Sequence, residues 1–254
     1  TGPADWTHMA AGVASNEGSP TDATRMDWIR EDLLGYTFTD VDRIYQGQGG
    51  TTSQITAAVN EGRSVVNYLG HGSGTAWTSV YFNNSNVHAL TNTAWPWIID
   101  VACLNGGISA IGESFAEAWM RAGGPAEPHG AVGIYASSTS TPWVPPTVMQ
   151  AEAVDLLVAE TSHVIGVLTQ AGIMAVLDEY GTTGTGLQLV EQYNLFGDCS
   201  LVVRTDSPNA MDVAHQPVVP LMTPTFGVDT GVPNVTVTLS GNGIDERTRT
   251  SSDG

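Results

Sequence analysis

With 26 acidic side chains against eight basic ones in 254 residues, the chain carries a net charge of −18. Such a balance repels phosphate backbones and anionic lipid heads, which argues against nucleic-acid binding and membrane association; it favours cations, basic peptides or adaptation to salt. All eight basic residues are arginine, and the longest apolar runs are six or seven residues, against the roughly 20 that a membrane-spanning helix needs. Two cysteines, Cys103 and Cys199, are too few for a disulfide scaffold.

The length suits one large α/β domain, or a domain of about 200 residues with a smaller companion. Thr1-Gly2-Pro3-Ala4-Asp5 has neither the basic nor the apolar region of a signal peptide. The chain opens without methionine and stops at Thr250-Ser251-Ser252-Asp253-Gly254 after a strand-like run, so it reads as a fragment of a longer protein.

In chain order, Met9 to Ser15 is an apolar run that ends in a turn-rich loop carrying Glu17, which predicts a first strand. Asp22 to Leu34 places Met26, Trp28-Ile29 and Leu33-Leu34 at helical spacing, with Thr21 or Asp22 as N-cap. Val41 to Tyr45 reads as a second strand, Thr51-Thr52-Ser53 as the cap of a second helix ending at Glu61-Gly62, and Val65 to Leu69 as a third strand. The polar, asparagine-rich stretch between His71 and Trp95 predicts a long loop. Trp97 to Cys103 is apolar throughout, the mark of a strand buried on both faces.

Glu113 to Arg121 is an amphipathic helix and Gly130 to Ala136 the next strand, followed by the Ser137–Pro146 loop with its tryptophan, Trp143. Helices follow at Thr147 to Glu160, Val164 to Tyr180 and Leu187 to Tyr193, and then a turn into a last strand ending at Arg204. Strands alternating with helices predict an α/β sandwich of three layers with a mostly parallel sheet. Past Thr205 the prolines at 208, 217, 220, 224 and 233 and the alternating Val235-Thr236-Val237-Thr238-Leu239 replace helix with strand signals. The boundary falls at 206/207, and residues 207–254 read as the opening of an immunoglobulin-like β domain, too short to close one.

Two strand ends carry the chemistry. Cys103 follows a buried strand and precedes Asn105-Gly106-Gly107; His71 ends another strand between Gly70 and Gly72. A thiol nucleophile needs a nearby base, and His71 is the only histidine in comparable surroundings. Glycine after the histidine leaves the Gly72 amide free to approach a substrate carbonyl and, with the amide of Cys103, to form an oxyanion hole. No Cys-x-x-Cys or His-x-x-x-His spacing supports zinc, and His8, His88, His129, His163 and His215 lie in loops or at helix ends.

Four ordered stretches resemble the gingipain family of cysteine peptidases: Asn67 to Ser73, Asp100 to Gly106, Glu113 to Ala122, and Phe196 to Thr205. The resemblance runs from about Ala14 to Thr205 and implies a caspase-like fold, Cys103 as nucleophile and His71 as general acid/base. Glu17 stands where that family has the carboxylate that orients the histidine. Asp22 and Trp143 are the nearest matches to the floor and wall of the arginine pocket in the arginine-cleaving members, with Val101 a further substrate-binding position; Asp22 as a helix N-cap is the alternative. Leu69 and Gly74 replace polar pocket residues of that branch, and Cys199 replaces a common proline.

The function so implied is a secreted or cell-surface cysteine endopeptidase acting on protein or peptide substrates through a thioester. It needs no cofactor for catalysis, and calcium is the structural ion the resemblance implies. Two rivals are a sortase-like transpeptidase using the same site and an inactive surface adhesion module.

Overall fold

The structure, a computed structural model, describes residues 5–108, 112–208, 210–219, 222, 224–233, 235–241 and 244–249. Residues 1–4, Pro220 and residues 250–254 lie outside the described residues. The chain divides into two compact units, Thr1–Ser207 and Pro208–Gly254.

The first unit runs β1 (Met9–Ala14), α1 (Asp22–Gly35), β2 (Asp40–Tyr45), α2 (Thr52–Glu61), β3 (Val65–Leu69), β4 (Ala76–Trp77), β5 (Phe82–Asn83), α3 (Asn84–His88), β6 (Trp97–Val101), α4 (Phe115–Arg121), β7 (Gly133–Ser137), α5 (Pro145–Val158), α6 (Ile165–Tyr180), α7 (Thr185–Gln192) and β8 (Tyr193–Gly197). The six-stranded sheet has the order β2-β1-β3-β6-β7-β8. All its pairings are parallel except β7 with β8. β1, β3, β6 and β7 are buried along their whole length, as a parallel sheet covered on both faces requires.

Met26, Ile29 and Leu33 of α1, with Met149 and Leu157 of α5 and Leu168 and Val176 of α6, pack on one face. Ile55 and Val59 of α2, Val87 of α3 and Phe115 and Trp119 of α4 pack on the other, giving the expected three-layer α/β sandwich. Local chemistry sets the helix starts. Thr51 with Gln54 and Ser114 with Glu117 form reciprocal capping boxes, and prolines occupy the first turn of α5.

Two expectations are corrected. The stretch between His71 and Trp95 is not a plain loop: it folds into the β4–β5 hairpin and α3. Trp77 pins the hairpin down by stacking on Tyr68 at 4.6 Å between ring centroids and meeting Phe115 and Trp119. The last strand of the sheet is Tyr193–Gly197, antiparallel on the β7 edge, rather than a segment ending at Arg204. Leu201 to Val203 instead line the entry to α6, where the Ile165 amide donates to the Leu201 carbonyl and the Val203 amide to that of His163.

The second unit contains two antiparallel pairs, β9 (Ala214–His215) with β10 (Val228–Asp229), and the hairpin β11 (Thr236–Gly241) with β12 (Ile244–Arg249).

Candidate active site

β1 connects to β2 on one side of it while β3 lies on the other, so the crevice at the carboxyl ends of β1 and β3 is a topological switch point, where α/β sheets bind ligands. Ala14, Leu69 and Val101 stand in one row of the register, the last residues of β1, β3 and β6. Cys103 and His71 come two positions beyond that row and Glu17 three, which sets all three side chains above the same edge.

His71 Nε2 lies 3.1 Å from Glu17 Oε1. The imidazole also meets the indole of Trp143 edge-on, with ring centroids 4.7 Å apart. The backbone of His71 is tied down on both sides: its amide donates to Ser79 Oγ at 3.2 Å, and its carbonyl accepts from Tyr68 Oη at 2.8 Å and from the Thr78 amide at 3.0 Å. The ring can turn; its base cannot.

Cys103 is part-exposed, and its Sγ accepts from the Thr141 amide at 3.4 Å rather than bonding to His71. Catalytic hydrogen bonds are often long until substrate arrives, so this separation is compatible with the pair acting together. The cysteine and histidine loops nevertheless touch: a methyl group placed on Gly72 would stand 2.2 Å from the Cys103 carbonyl oxygen and 2.9 Å from Asn105 Oδ1. Among the described residues, neither the Gly72 amide nor that of Cys103 has a protein acceptor. Unengaged amides are the kind of donor that an oxyanion accepts from.

Leu104, directly after the cysteine, has φ of 68°, and the Asn105 amide donates to the Cys103 carbonyl at 2.8 Å. This tight turn is a strained one for a branched side chain, and strain of this kind gathers at functional sites.

Asp22 is fully buried. The N-cap of α1 is Thr21, whose side chain accepts from the Thr24 amide, so the carboxylate of Asp22 is free of that task and turns inward. It accepts from Ser15 Oγ at 2.5 Å and from Trp143 Nε1 at 3.0 Å. Burial raises its pKa from the ordinary aspartate value, and the two donors work in the opposite sense. Val101 packs into the core, and its carbonyl accepts from the Gly70 amide.

Ser15 and Thr141 stand outside the motifs read from the sequence, while the buried Asp100 and Asn105 lie inside the Asp100–Gly106 stretch with no role assigned to them there. Ser15, at the end of a strand run and shortly before an acidic residue, is the one whose position offered a signal.

A largely buried α/β sheet with a thiol, an imidazole and a carboxylate beyond the carboxyl ends of β6, β3 and β1 carries the groups that a cysteine hydrolase uses. The chain belongs to peptidase family C25, whose profile matches residues 1–204. It is 34% identical over 249 residues to gingipain R1 and to gingipain R2 of Porphyromonas gingivalis, alignments that cover 94% of this chain but 25% and 33% of those proteins. Its structure is similar to the crystal structure of the Arg-specific cysteine proteinase gingipain R, with a TM-score of 0.91 and 33% identity across 99% of this chain and 60% of that one. The chain thus spans about a quarter to a third of the curated relatives.

Proposed function

We propose that this chain is the catalytic part of a cysteine endopeptidase, with Cys103 as nucleophile, His71 as general acid/base and Glu17 orienting His71. The single observation that carries the reading is the close approach of the histidine loop to the Cys103 carbonyl at Gly72, with two unengaged amides at that contact.

In the reaction, Cys103 Sγ attacks the scissile carbonyl and its proton passes to His71. The oxyanion of the tetrahedral intermediate accepts from the Gly72 and Cys103 amides, which are in place before charge develops. His71 returns the proton to the leaving amine as the C–N bond breaks, leaving a thioester. Water, deprotonated by His71, then releases the acid and the thiol. Glu17 holds the ring through Nε2, so the other ring nitrogen is the one that exchanges protons with sulfur and substrate.

Arginine as the residue whose carbonyl is attacked follows from Asp22. A carboxylate has about four lone-pair sites, and Ser15 and Trp143 use two, so a bidentate guanidinium contact remains available. Asp22 is fully covered, so the residues over it must part before an incoming arginine reaches it. Val101, expected as a substrate-binding position, is buried in the core and is given no substrate contact in this reading.

Protein and peptide substrates, and a place outside the cell or on its surface, complete the reading; no helix among the described residues is long and apolar enough to cross a membrane. Residues 207–254 are read as the opening of an immunoglobulin-like β domain, supported by their two antiparallel pairs. Among the described residues no three His, Cys, Asp or Glu side chains converge on one point. They do not fit a carboxylate-built calcium site.

The test is hydrolysis of a fluorogenic peptide library by the chain and by its Cys103→Ala and His71→Ala variants. Cleavage after arginine that both variants abolish is the expected result; cleavage that survives Cys103→Ala overturns the assignment.

A further inference from the structure

The catalytic roles above leave one feature unused: a buried acid and a buried amide directly beneath the contact between the two loops. Asp100 sits in the middle of an apolar strand and is fully buried. Asn105, in what reads from sequence as a turn, is fully buried as well. Asn105 Nδ2 donates to Asp100 Oδ2 at 2.9 Å, and Asn105 Oδ1 accepts from the Gly74 amide at 3.1 Å. One side chain therefore joins the strand of the nucleophile to the loop of the histidine.

The N-terminus of α4 closes the arrangement. The Phe115 amide donates to the Gly74 carbonyl at 2.7 Å and the Ala116 amide to the Asn105 carbonyl at 2.9 Å. Gly74 thus gives its amide to Asn105 and its carbonyl to the helix, and its φ of 88° is one that favours glycine. The cysteine and histidine loops are held to each other and to α4 at the same points.

We propose that Asp100 and Asn105 are a positioning couple that fixes the separation of the histidine and cysteine loops, Asp100 by dictating which way the Asn105 amide faces. The proposal rests on the peptidase reading for what that separation serves. An amide has a donor end and an acceptor end, and an acceptor must meet the Gly74 N–H while a donor meets the acid. With Asp100 accepting, only the observed orientation satisfies both. The other oxygen of Asp100, Oδ1, has no formed hydrogen bond, although the Trp77 indole lies near enough to favour the anion.

Asn105→Ala and Asp100→Leu, each of which leaves no group to form the Asp100–Asn105 hydrogen bond, test the couple in the full chain. Loss of the link displaces the loops by a fraction of an ångström to an ångström, so kcat falls about tenfold or more while KM stays within about threefold. A residue needed only for packing would lower melting temperature without that split. Hydrogen exchange gives a readout independent of activity: the Gly74 amide exchanges at least about tenfold faster in both variants.

Variants that fold and keep both kcat and Gly74 protection within about twofold of wild type overturn the proposal. If neither variant folds, the wild-type chain decides: Gly74 must exchange at least about tenfold more slowly than the unengaged Gly72, and equal rates refute the link. If the wild type cleaves no peptide, the peptidase reading falls, while Gly74 exchange still judges the couple.

Discussion

The contact at Gly72 yields the sharpest prediction. In Gly72→Ala the new methyl carbon would lie 2.2 Å from the Cys103 carbonyl oxygen, 2.9 Å from Asn105 Oδ1 and 3.0 Å from Ala102 Cβ. Ordinary carbon–oxygen contact is about 3.3 Å, so the histidine and cysteine loops must part by about 1 Å. The nearest atom is backbone, and no flexible side chain can turn away to spare it. A misplacement of about 1 Å between reacting groups costs about a hundredfold in rate, equivalent to about 2.7 kcal/mol in the barrier.

Overpacking of this kind also costs about 1–3 kcal/mol of stability, so kcat/KM should be measured well below the melting temperature, with circular dichroism confirming the fold. Iodoacetamide alkylation of Cys103 provides a control, because it uses neither the oxyanion amides nor proton return to a leaving amine and should lose far less rate than peptide hydrolysis. A Gly72→Ala variant with kcat/KM within about threefold of wild type would show that the loops do not work across this contact.

Other perturbations separate orientation, specificity and burial. Glu17→Gln should lower kcat about tenfold through loss of imidazole orientation. Because the Glu17 and His71 side chains are 53% and 49% exposed, its effect on stability should stay below about 1 kcal/mol. A large drop in melting temperature with unchanged kcat would contradict that role. Asp22→Asn should erase any preference for arginine over lysine, read as the ratio of kcat/KM on paired substrates; a ratio unchanged from wild type would remove Asp22 from the pocket.

Asp100, pushed up by burial to about 7 from 3.8, holds its proton in the folded chain where the unfolded chain has released it. Stability therefore falls as pH rises from about 4 to 7, by about 4 kcal/mol in all, and denaturant midpoints for Asp100→Asn should flatten over that range. Parallel curves for variant and wild type would show that this carboxyl is not the titrating group.

What the sequence made legible followed from burial. Strands covered on both faces read as continuous apolar runs, so β1, β3 and β6 and the reactive residues at their ends could be placed. β8 was displaced because the run around Leu201 is as apolar as the true edge strand, and only the partner strand distinguishes them. The β4–β5 hairpin was invisible for a related reason: Trp77 and Phe82 stand in a largely polar stretch, and the rings that bury them, Tyr68, Phe115 and Trp119, come from other elements.

At the site, the glycines flanking His71 and following Cys103 were visible signals. Asn105-Gly106 reads as an ordinary turn, and Asp100 is a single acid in an apolar run. Their significance appears only when Gly74 and α4 are brought beside them.

The most direct measurement is the site of covalent capture. The folded chain is treated with an arginyl peptide bearing a thiol-reactive electrophile, digested and mapped by mass spectrometry, beside Cys103→Ala and His71→Ala. The account predicts modification of Cys103 alone, absent in Cys103→Ala and slowed about a hundredfold or more in His71→Ala. Equal labelling of the exposed Cys199, or labelling of Cys103 at the same rate without His71, would contradict it.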